Sequence, residues 1–143
     1  MKIVLDTNVL VAGLLSPFGL CGDIVRMVSS GNLTLCIDAR VLSEYWEVLE
    51  RPKFNFDHDK IAAILDYIEH HGWVVASIPL SLPLRDPNDA PFLEIAVPGG
   101  ANYLVAGNAA HFPPELRQGV HVISPADFFK RAVKRQKGKK RDT

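Results

Sequence analysis

Short apolar runs alternate along this chain with stretches in which apolar residues recur at helical spacing. The first run, residues 3–5, ends at the polar residues 6–8, and helically spaced apolar residues follow it. This pattern predicts a strand, a turn and a helix. Four later apolar runs predict strands at residues 33–37, 73–76, 102–106 and 120–123. Helical spacing predicts helices at residues 21–30, 39–50 and 57–71, a short helix that begins near residue 89, and a last helix from residue 125.

The alternation of strands and helices indicates the fold class. The first two strands are joined through helices by short connections, which favours parallel pairing. We therefore predict a three-layer α/β domain, with a central, mostly parallel sheet of about five strands and helices on both faces. Residues 77–91 contain four prolines, which predicts a stiff, extended connection leading into the short helix. Ligands of such sheets bind beyond the carboxyl ends of the strands.

Length and composition point to one globular domain. The chain has 143 residues, of which 48% are hydrophobic and 22% charged, close to the averages of globular proteins. Disorder, collagen and coiled coil are excluded for the chain as a whole. No stretch has the roughly 20 apolar residues of a membrane helix, and the first residues do not resemble a cleavable signal. We expect a cytoplasmic protein without a membrane partner, in which Cys21 and Cys36 are reduced core thiols.

A formal net charge of zero conceals a division of charge along the chain. Residues 1–129 contain 8 basic and 15 acidic residues, whereas residues 130–143 contain 8 basic residues and one acid. We predict a domain over residues 1–129 and a frayed basic tail over residues 130–143. A basic tail on an acidic body suggests an arm that binds polyanions or an acidic pocket that binds cations, and a tail that only aids solubility is the simpler alternative.

Polar side chains stand where the predicted strands end or the short helix begins. They are Asp6, Asp38, Asp86, Asp89 and Asn108. Because parallel strands end at one edge of the sheet, we expect such residues to lie close together. Oxygen ligands of this kind suit Mg²⁺, and carboxylates that share a crevice raise each other's pKa unless a cation lies between them. Each acid alone is also explained by a helix cap or a turn.

Four short motifs in this order resemble the PIN-domain nucleases, and more narrowly the VapC-like toxin components of prokaryotic toxin–antitoxin systems. The resemblance extends from Met1 to about Phe129. The motifs are residues 3–10 (IVLDTNVL), residues 42–45 (LSEY), residues 85–94 (RDPNDAPFLE), and residues 100–108 (GANYLVAGN) followed by residues 111–113 (HFP).

The resemblance implies a set of metal-binding carboxylates. They would be Asp6, Glu44 and Asp89, with Asp86 as an additional candidate. On a helical wheel Glu44 lies on one flank of the apolar face, but Glu50 lies on the other flank almost as well. The wheel permits Glu44 without selecting it, so that assignment rests on the resemblance.

Four further residues follow from the same motifs. Thr7 and Asn8 would donate hydrogen bonds that orient Asp6 or a phosphate oxygen, and Arg85 would contact phosphates. Asn108 stands where many members of the family have a fourth aspartate. Because an amide adds no negative charge, we expect one metal ion to bind, and the residues leave open whether a second, weaker site exists.

The resemblance implies an endoribonuclease that depends on Mg²⁺ or Mn²⁺. Its partners would be an RNA substrate, a cognate antitoxin protein and a second copy of the chain in a homodimer. Two alternatives belong to other classes. A catalytically silent module that binds RNA or an antitoxin is suggested by Asn108 and the basic tail. A receiver-like signalling domain would use Asp6 as its phosphoacceptor, although such domains have an acidic pair after the first strand.

Overall fold

The centre of the molecule is a parallel sheet of five strands. The computed structural model describes the backbone of residues 1–141 and the side chains of residues 1–132 and 134. The strands lie in the order β3-β2-β1-β4-β5, and each neighbouring pair is parallel. Their bounds are β1 (Lys2–Leu5), β2 (Thr34–Ile37), β3 (Trp73–Val74), β4 (Tyr103–Val105) and β5 (Val122–Ile123). The predicted parallel five-stranded sheet is confirmed.

Six helices cover the sheet. They are α1 (Thr7–Leu15), α2 (Leu20–Ser29), α3 (Ala39–Leu49), α4 (His58–His71), α5 (Ala90–Ala96) and α6 (Pro125–Arg141). The chain passes from β1 to β2 and then to β3 in one direction across the sheet. The connection from β3 to β4 runs in the opposite direction, across β2 and β1. Because crossovers between parallel strands are right-handed, α5 lies on the opposite face from the helices that link β1, β2 and β3. The predicted three-layer α/β class is confirmed.

Strand β1 has neighbours on both sides and layers on both faces. Ile3, Val4 and Leu5 are therefore completely buried, since strands covered on both faces are apolar throughout. Leu5 pairs with Val105 of β4, and helix α5 packs against β1. Burial of each such side chain stabilises the fold by roughly 1.5–3 kcal/mol. This rigid strand carries the first acid of the candidate site at its carboxyl end.

The edge strands are shorter than predicted. Strands β3 and β5 contain two residues each, whereas the sequence predicted residues 73–76 and 120–123. Both strands lie at an edge of the sheet and pair on one side only, so fewer hydrogen bonds maintain their extended conformation. The proline-rich segment leads, as predicted, into a short helical turn (Pro87–Asp89) directly before α5.

Helix α6 begins at the predicted cap and extends further than expected. The hydroxyl of Ser124 accepts a hydrogen bond from the amide of Asp127 at 3.1 Å, which satisfies a free donor of the first turn. The helical backbone continues to Arg141, although the sequence predicted a frayed tail from residue 130. Lys, Arg and Gln are good helix formers, and cations are favourable at a helix C-terminus. The boundary between domain and tail stays a prediction, and residues 142–143 lie outside the described part of the chain.

Both cysteines are free thiols, in agreement with the sequence prediction. Cys36 is buried and Cys21 is partly buried, and burial raises the pKa of both thiols. Within the described residues, no single helix is long and apolar enough to cross a membrane. Helices α1 and α2 reach that length and composition only together, as a pair bent by 103°.

Candidate active site

Asp6 occupies a fixed position between β1 and α1. Its amide donates to the carbonyl of Val105 at 3.0 Å, which continues the pairing with β4, and its own carbonyl accepts from the amide of Val9 at 3.0 Å. The backbone is therefore held by the sheet on one side and by the first turn of α1 on the other. The residue is only 5% exposed. A carboxyl group is thus anchored at the carboxyl edge of the central strand.

The surroundings of Asp6 disfavour its charge. The pKa of Asp6 is raised to about 6, chiefly by burial and then by the charges of Asp89 and Glu44, and the amides of Asn8 and Thr7 offset part of this rise. Within the described part of the chain no cationic side chain forms an ion pair with Asp6. A buried carboxylate beside two other carboxylates is an environment that attracts a cation.

Helix α3 brings Glu44 to the same edge. The hydroxyl of Thr7, a residue only 4% exposed, donates a hydrogen bond to Oε2 of Glu44. The adjacent Tyr45 is completely buried and donates from its hydroxyl to the carbonyl of Leu5, so the rotation of α3 about its axis is fixed against β1. Glu50 points elsewhere, since it is exposed and its Oε1 lies 3.4 Å from Nδ1 of His58. The structure thus places Glu44, and not Glu50, beside Asp6.

The segment before α5 supplies Asp89. Its side chain is 15% exposed. Burial raises the pKa of Asp89, the charges of Asp86 and Glu44 raise it further, and His111 lowers it. Asp86 is exposed, and its Oδ1 accepts from the amide of Asn88 at 2.9 Å, as expected of a turn cap. Asp89 therefore belongs to the cluster around Asp6, whereas Asp86 lies outside it and acts on Asp89 alone.

The remaining predicted residues occupy different environments. Thr7 and Asn8 were expected to donate hydrogen bonds to Asp6 or to a phosphate oxygen; their backbone amides lower the pKa of Asp6, whereas the hydroxyl of Thr7 donates to Glu44. Asn8 and Arg85 are exposed. Asn108 is also exposed, and its Oδ1 accepts from the amide of Ala110 at 3.1 Å, which caps a short helical turn. That oxygen is therefore already engaged within the protein.

Asp38, the acid at the end of β2, is a helix cap. Its Oδ1 accepts from the amide of Val41 at 2.9 Å, and its Oδ2 lies 2.9 Å from the guanidinium of Arg40. The same guanidinium is 2.7 Å from Glu94 of α5. Arg40 therefore links α3 to α5 beside the cluster. Sequence reasoning missed this residue, because neither periodicity nor spacing signals a pairing between residues 54 positions apart.

His111 is a second residue that sequence reasoning missed. Its Nδ1 lies 3.8 Å from Oδ2 of Asp89, and its side chain is 49% exposed. The completely buried Phe112 anchors it from the next position. Its position directly before Phe112, in the motif of residues 111–113, was the sequence signal that could have identified it. The structure thus places an imidazole at the open side of the carboxylate cluster.

An open cleft of about 340 Å³ adjoins Glu44. It lies between α3 and the start of α5. Its lining includes Arg40, Ser43, Glu47, Asn88 and Pro91. The cleft therefore provides room for part of a ligand whose reacting group lies at the carboxylates.

The donor set of the cluster fits a hard divalent cation. Asp6, Glu44 and Asp89 offer only carboxylate oxygens, the ligands that Mg²⁺ and Mn²⁺ prefer. Within the described residues, no three His, Cys, Asp or Glu side chains are already arranged closely enough to hold an ion. One oxygen of Glu44 accepts the hydrogen bond of Thr7, so its other oxygen is the one that remains for a ligand.

A parallel three-layer α/β domain with acids at the carboxyl edge of its central strand defines the structural class. Comparison with known proteins identifies the family: the PIN domain matches residues 2–110, so the chain belongs to the PIN domain family. No curated protein matches at a significant level. The fold is similar to a chain in the crystal structure of VapBC2 from Rickettsia felis bound to a DNA fragment from their promoter. The TM-score is 0.56 and the identity 18%, and the match covers 87% of this chain and 98% of that chain.

The receiver-like alternative does not agree with the topology. Receiver domains have the strand order 2-1-3-4-5, whereas the order here is 3-2-1-4-5. The two sheets therefore place different strands beside the first one. The acid after β1 is consequently interpreted within the PIN fold.

Proposed function

We propose that this protein is an endoribonuclease that hydrolyses RNA with Mg²⁺ or Mn²⁺ held by Asp6, Glu44 and Asp89. One observation carries the proposal: three separate elements deliver these carboxylates to one edge of the sheet, where the charges of Asp89 and Glu44 raise the pKa of Asp6 and the charge of Glu44 raises that of Asp89. When bound, the ion neutralises charge on the scissile phosphate and makes the attacking water more acidic. The oxygen of that water bonds to phosphorus as the phosphorus–oxygen bond of the RNA backbone breaks, and a proton passes to the leaving oxygen.

The residues of the chain position the reacting groups. Thr7 holds Glu44 through the hydroxyl hydrogen bond, which limits the rotamers of the carboxylate. Oδ2 of Asp89 lies 3.8 Å from Nδ1 of His111. Asn108 adds no charge, and its amide oxygen caps a turn. We therefore propose that one metal ion suffices and that a second ion binds weakly.

The biological role that we propose is that of a toxin in a toxin–antitoxin pair. The family and the fold similarity to a chain of a VapBC2 structure support this role. An antitoxin protein would cover the carboxylate edge, and we propose a homodimer located in the cytoplasm. A gene for the antitoxin is expected beside the gene for this protein.

Cleavage of a mixed-sequence RNA by the purified protein tests the nuclease. We expect cleavage with Mg²⁺ or Mn²⁺, none with EDTA, and none by Asp6→Asn with either metal. Glu50→Gln is the matched control, because it removes one carboxylate directly after α3, near His58 and away from the cluster. Equal activity of Asp6→Asn and wild type would reject the proposed site.

A silent module that binds RNA or an antitoxin is the second candidate. Asn108 favours it, since the amide adds no negative charge at the position where the resemblance implies a fourth aspartate in many members of the family. This candidate predicts RNA binding without cut product in any metal, from a protein whose circular dichroism is that of an α/β fold. Recovery of cleavage in the Asn108→Asp variant would then show that the amide at this position causes the lack of nuclease activity.

A further inference from the structure

The basic half of α6 is the strongest feature that the proposed site does not use. Half of the 16 basic residues of the chain lie in its last 14 positions, whereas residues 1–129 have a net charge of −7. An RNA that approaches the carboxylate edge therefore meets a body of its own sign. Nonspecific attraction for RNA, which arises mainly from Lys and Arg, must come chiefly from the end of the chain.

The path of α6 places these cations away from the carboxylate edge. Ser124 follows Ile123 of β5, which pairs with Val105 of β4, so the helix begins at the carboxyl edge of the sheet. Two turns later, the guanidinium of Arg131 lies 3.5 Å from the hydroxyl of Tyr103 and over its ring, and the Tyr103 ring also packs against Phe128. Tyr103 is the first residue of β4, about 7 Å from the carboxyl end of that strand. The helix thus extends from the carboxyl ends of the strands toward their amino ends.

The helix continues past this anchor. From Arg131 to Arg141 its backbone advances by about 15 Å. The exposed Lys130 and Lys134 flank the anchor, and five more basic residues follow up to Arg141. The backbone positions of these basic residues therefore begin about 10 Å along the helix from Ser124 and end about 25 Å from it. These distances correspond to roughly three to seven stacked nucleotides.

The composition of this segment favours a nucleic acid over a membrane. After Ala132 the only strongly apolar residue is Val133. Helices that lie in a membrane surface need a broad apolar face, which this segment does not have. A dense series of cations without apolar neighbours instead suits an array of phosphates.

We propose that the basic half of α6 is a docking arm for the RNA substrate, which contacts phosphates several nucleotides away from the scissile bond. This inference rests on the proposed nuclease function and deepens it by narrowing the class of RNA substrates. The preferred substrates are RNAs long enough, or folded in such a way, to contact both the carboxylate edge and the arm. A tetranucleotide that is cut at its central bond extends only two nucleotides, about 7 Å, to either side and does not reach the arm.

Binding measured without chemistry tests the arm directly. All variants carry Asp6→Asn and are studied in EDTA with a labelled RNA of about 30 nucleotides. The arm variant is Lys134→Gln, Lys137→Gln and Lys140→Gln, which retains good helix formers and leaves Arg131 on Tyr103. The control is Arg51→Gln, Lys53→Gln and Lys60→Gln, which changes the net charge equally at exposed positions around the C-terminus of α3 and the start of α4.

We expect the arm variant to bind about 100-fold more weakly at about 0.1 M salt, with a salt slope reduced by about 2, because each lost phosphate contact removes about 0.7. The control variant retains most of the affinity and slope. Equal losses in the two variants would overturn the proposal, because net charge alone would then explain binding. Tighter, equally arm-dependent binding of duplex DNA of the same length would overturn RNA as the ligand.

Cleavage separates the arm from the nuclease. With Asp6 restored, the arm variant should show a higher KM for the long RNA and unchanged kcat/KM for a tetranucleotide. A loss of kcat/KM on the tetranucleotide would contradict the geometry. If the wild type binds RNA through the arm but does not cleave it, the nuclease function is rejected and the docking role of the arm is retained. If the wild type cleaves RNA but the arm variant binds it equally well, only the docking role is rejected.

Discussion

Replacing Asp6 with Asn should stabilise the metal-free protein at neutral pH. The pKa of Asp6 rises from 3.8 to about 6 on folding, chiefly because the side chain is buried and then because Asp89 is near. The folded state consequently binds this proton more tightly than the unfolded state does. The stabilisation from protonated Asp6 is complete below about pH 4 and is lost as the pH rises through about 6.

The magnitude follows from the shift. About two pH units correspond to roughly 3 kcal/mol once the group is ionised in both states. Between about pH 4.5 and about pH 7.5 the contribution changes by about 2 kcal/mol. Asn also alters hydrogen bonding at this position, but that effect is the same at both pH values. The change in the difference between variant and wild type therefore isolates the charge of Asp6.

Urea unfolding in EDTA at the two pH values measures this quantity. The advantage of Asp6→Asn over wild type should grow by about 2 kcal/mol toward the higher pH, a change in the midpoint difference of about 1 M urea. Glu50→Gln removes an equal charge outside the cluster and reports the contribution of net charge. An advantage that is constant or shrinks as the pH rises would refute the electrostatic reasoning.

Two other predictions concern the same edge of the sheet. Excess Mg²⁺ at neutral pH should stabilise the wild type by about 2.7 kcal/mol at a hundredfold excess over Kd, measured by thermal unfolding. It should have little effect on Asp6→Asn or Glu44→Gln. Equal shifts in all three proteins would exclude an ion that these carboxylates share. Tyr45→Phe should cost about 1–2 kcal/mol in urea unfolding, because the buried carbonyl of Leu5 loses the donor that fixes α3; a wild-type free energy of unfolding would show that this hydrogen bond does not hold the helix.

The layers of the fold were predictable because they depend on local patterns. The apolar run at residues 3–5 requires cover on both faces, and the alternation with helical segments leaves few arrangements that provide it. The lengths of β3 and β5 were not predictable in the same way. They depend on which strands become the edges, and strand order is a property of the whole sheet.

The site was predictable where its residues belong to local motifs and unpredictable where distant contacts decide. Periodicity left Glu44 and Glu50 nearly equivalent. The structure distinguishes them because the hydroxyl of Tyr45 in α3 donates to the carbonyl of Leu5 in β1, which fixes the rotation of the helix. The link from Arg40 to Glu94 and the approach of His111 to Asp89 join residues far apart in sequence. No helical or strand period connects such pairs.

The carboxylate cluster opposes the stability of the fold that carries it. Asp6 follows three completely buried residues of the central strand, so the rigid core holds the carboxyl in place even when its charge costs roughly 3 kcal/mol. A surface carboxylate would avoid this cost, but it would also lose the fixed backbone on which a metal site depends. One side chain should therefore have opposite effects in two conditions. Its removal stabilises the protein in EDTA and abolishes the stabilisation by Mg²⁺, and a simple packing role for Asp6 predicts neither result.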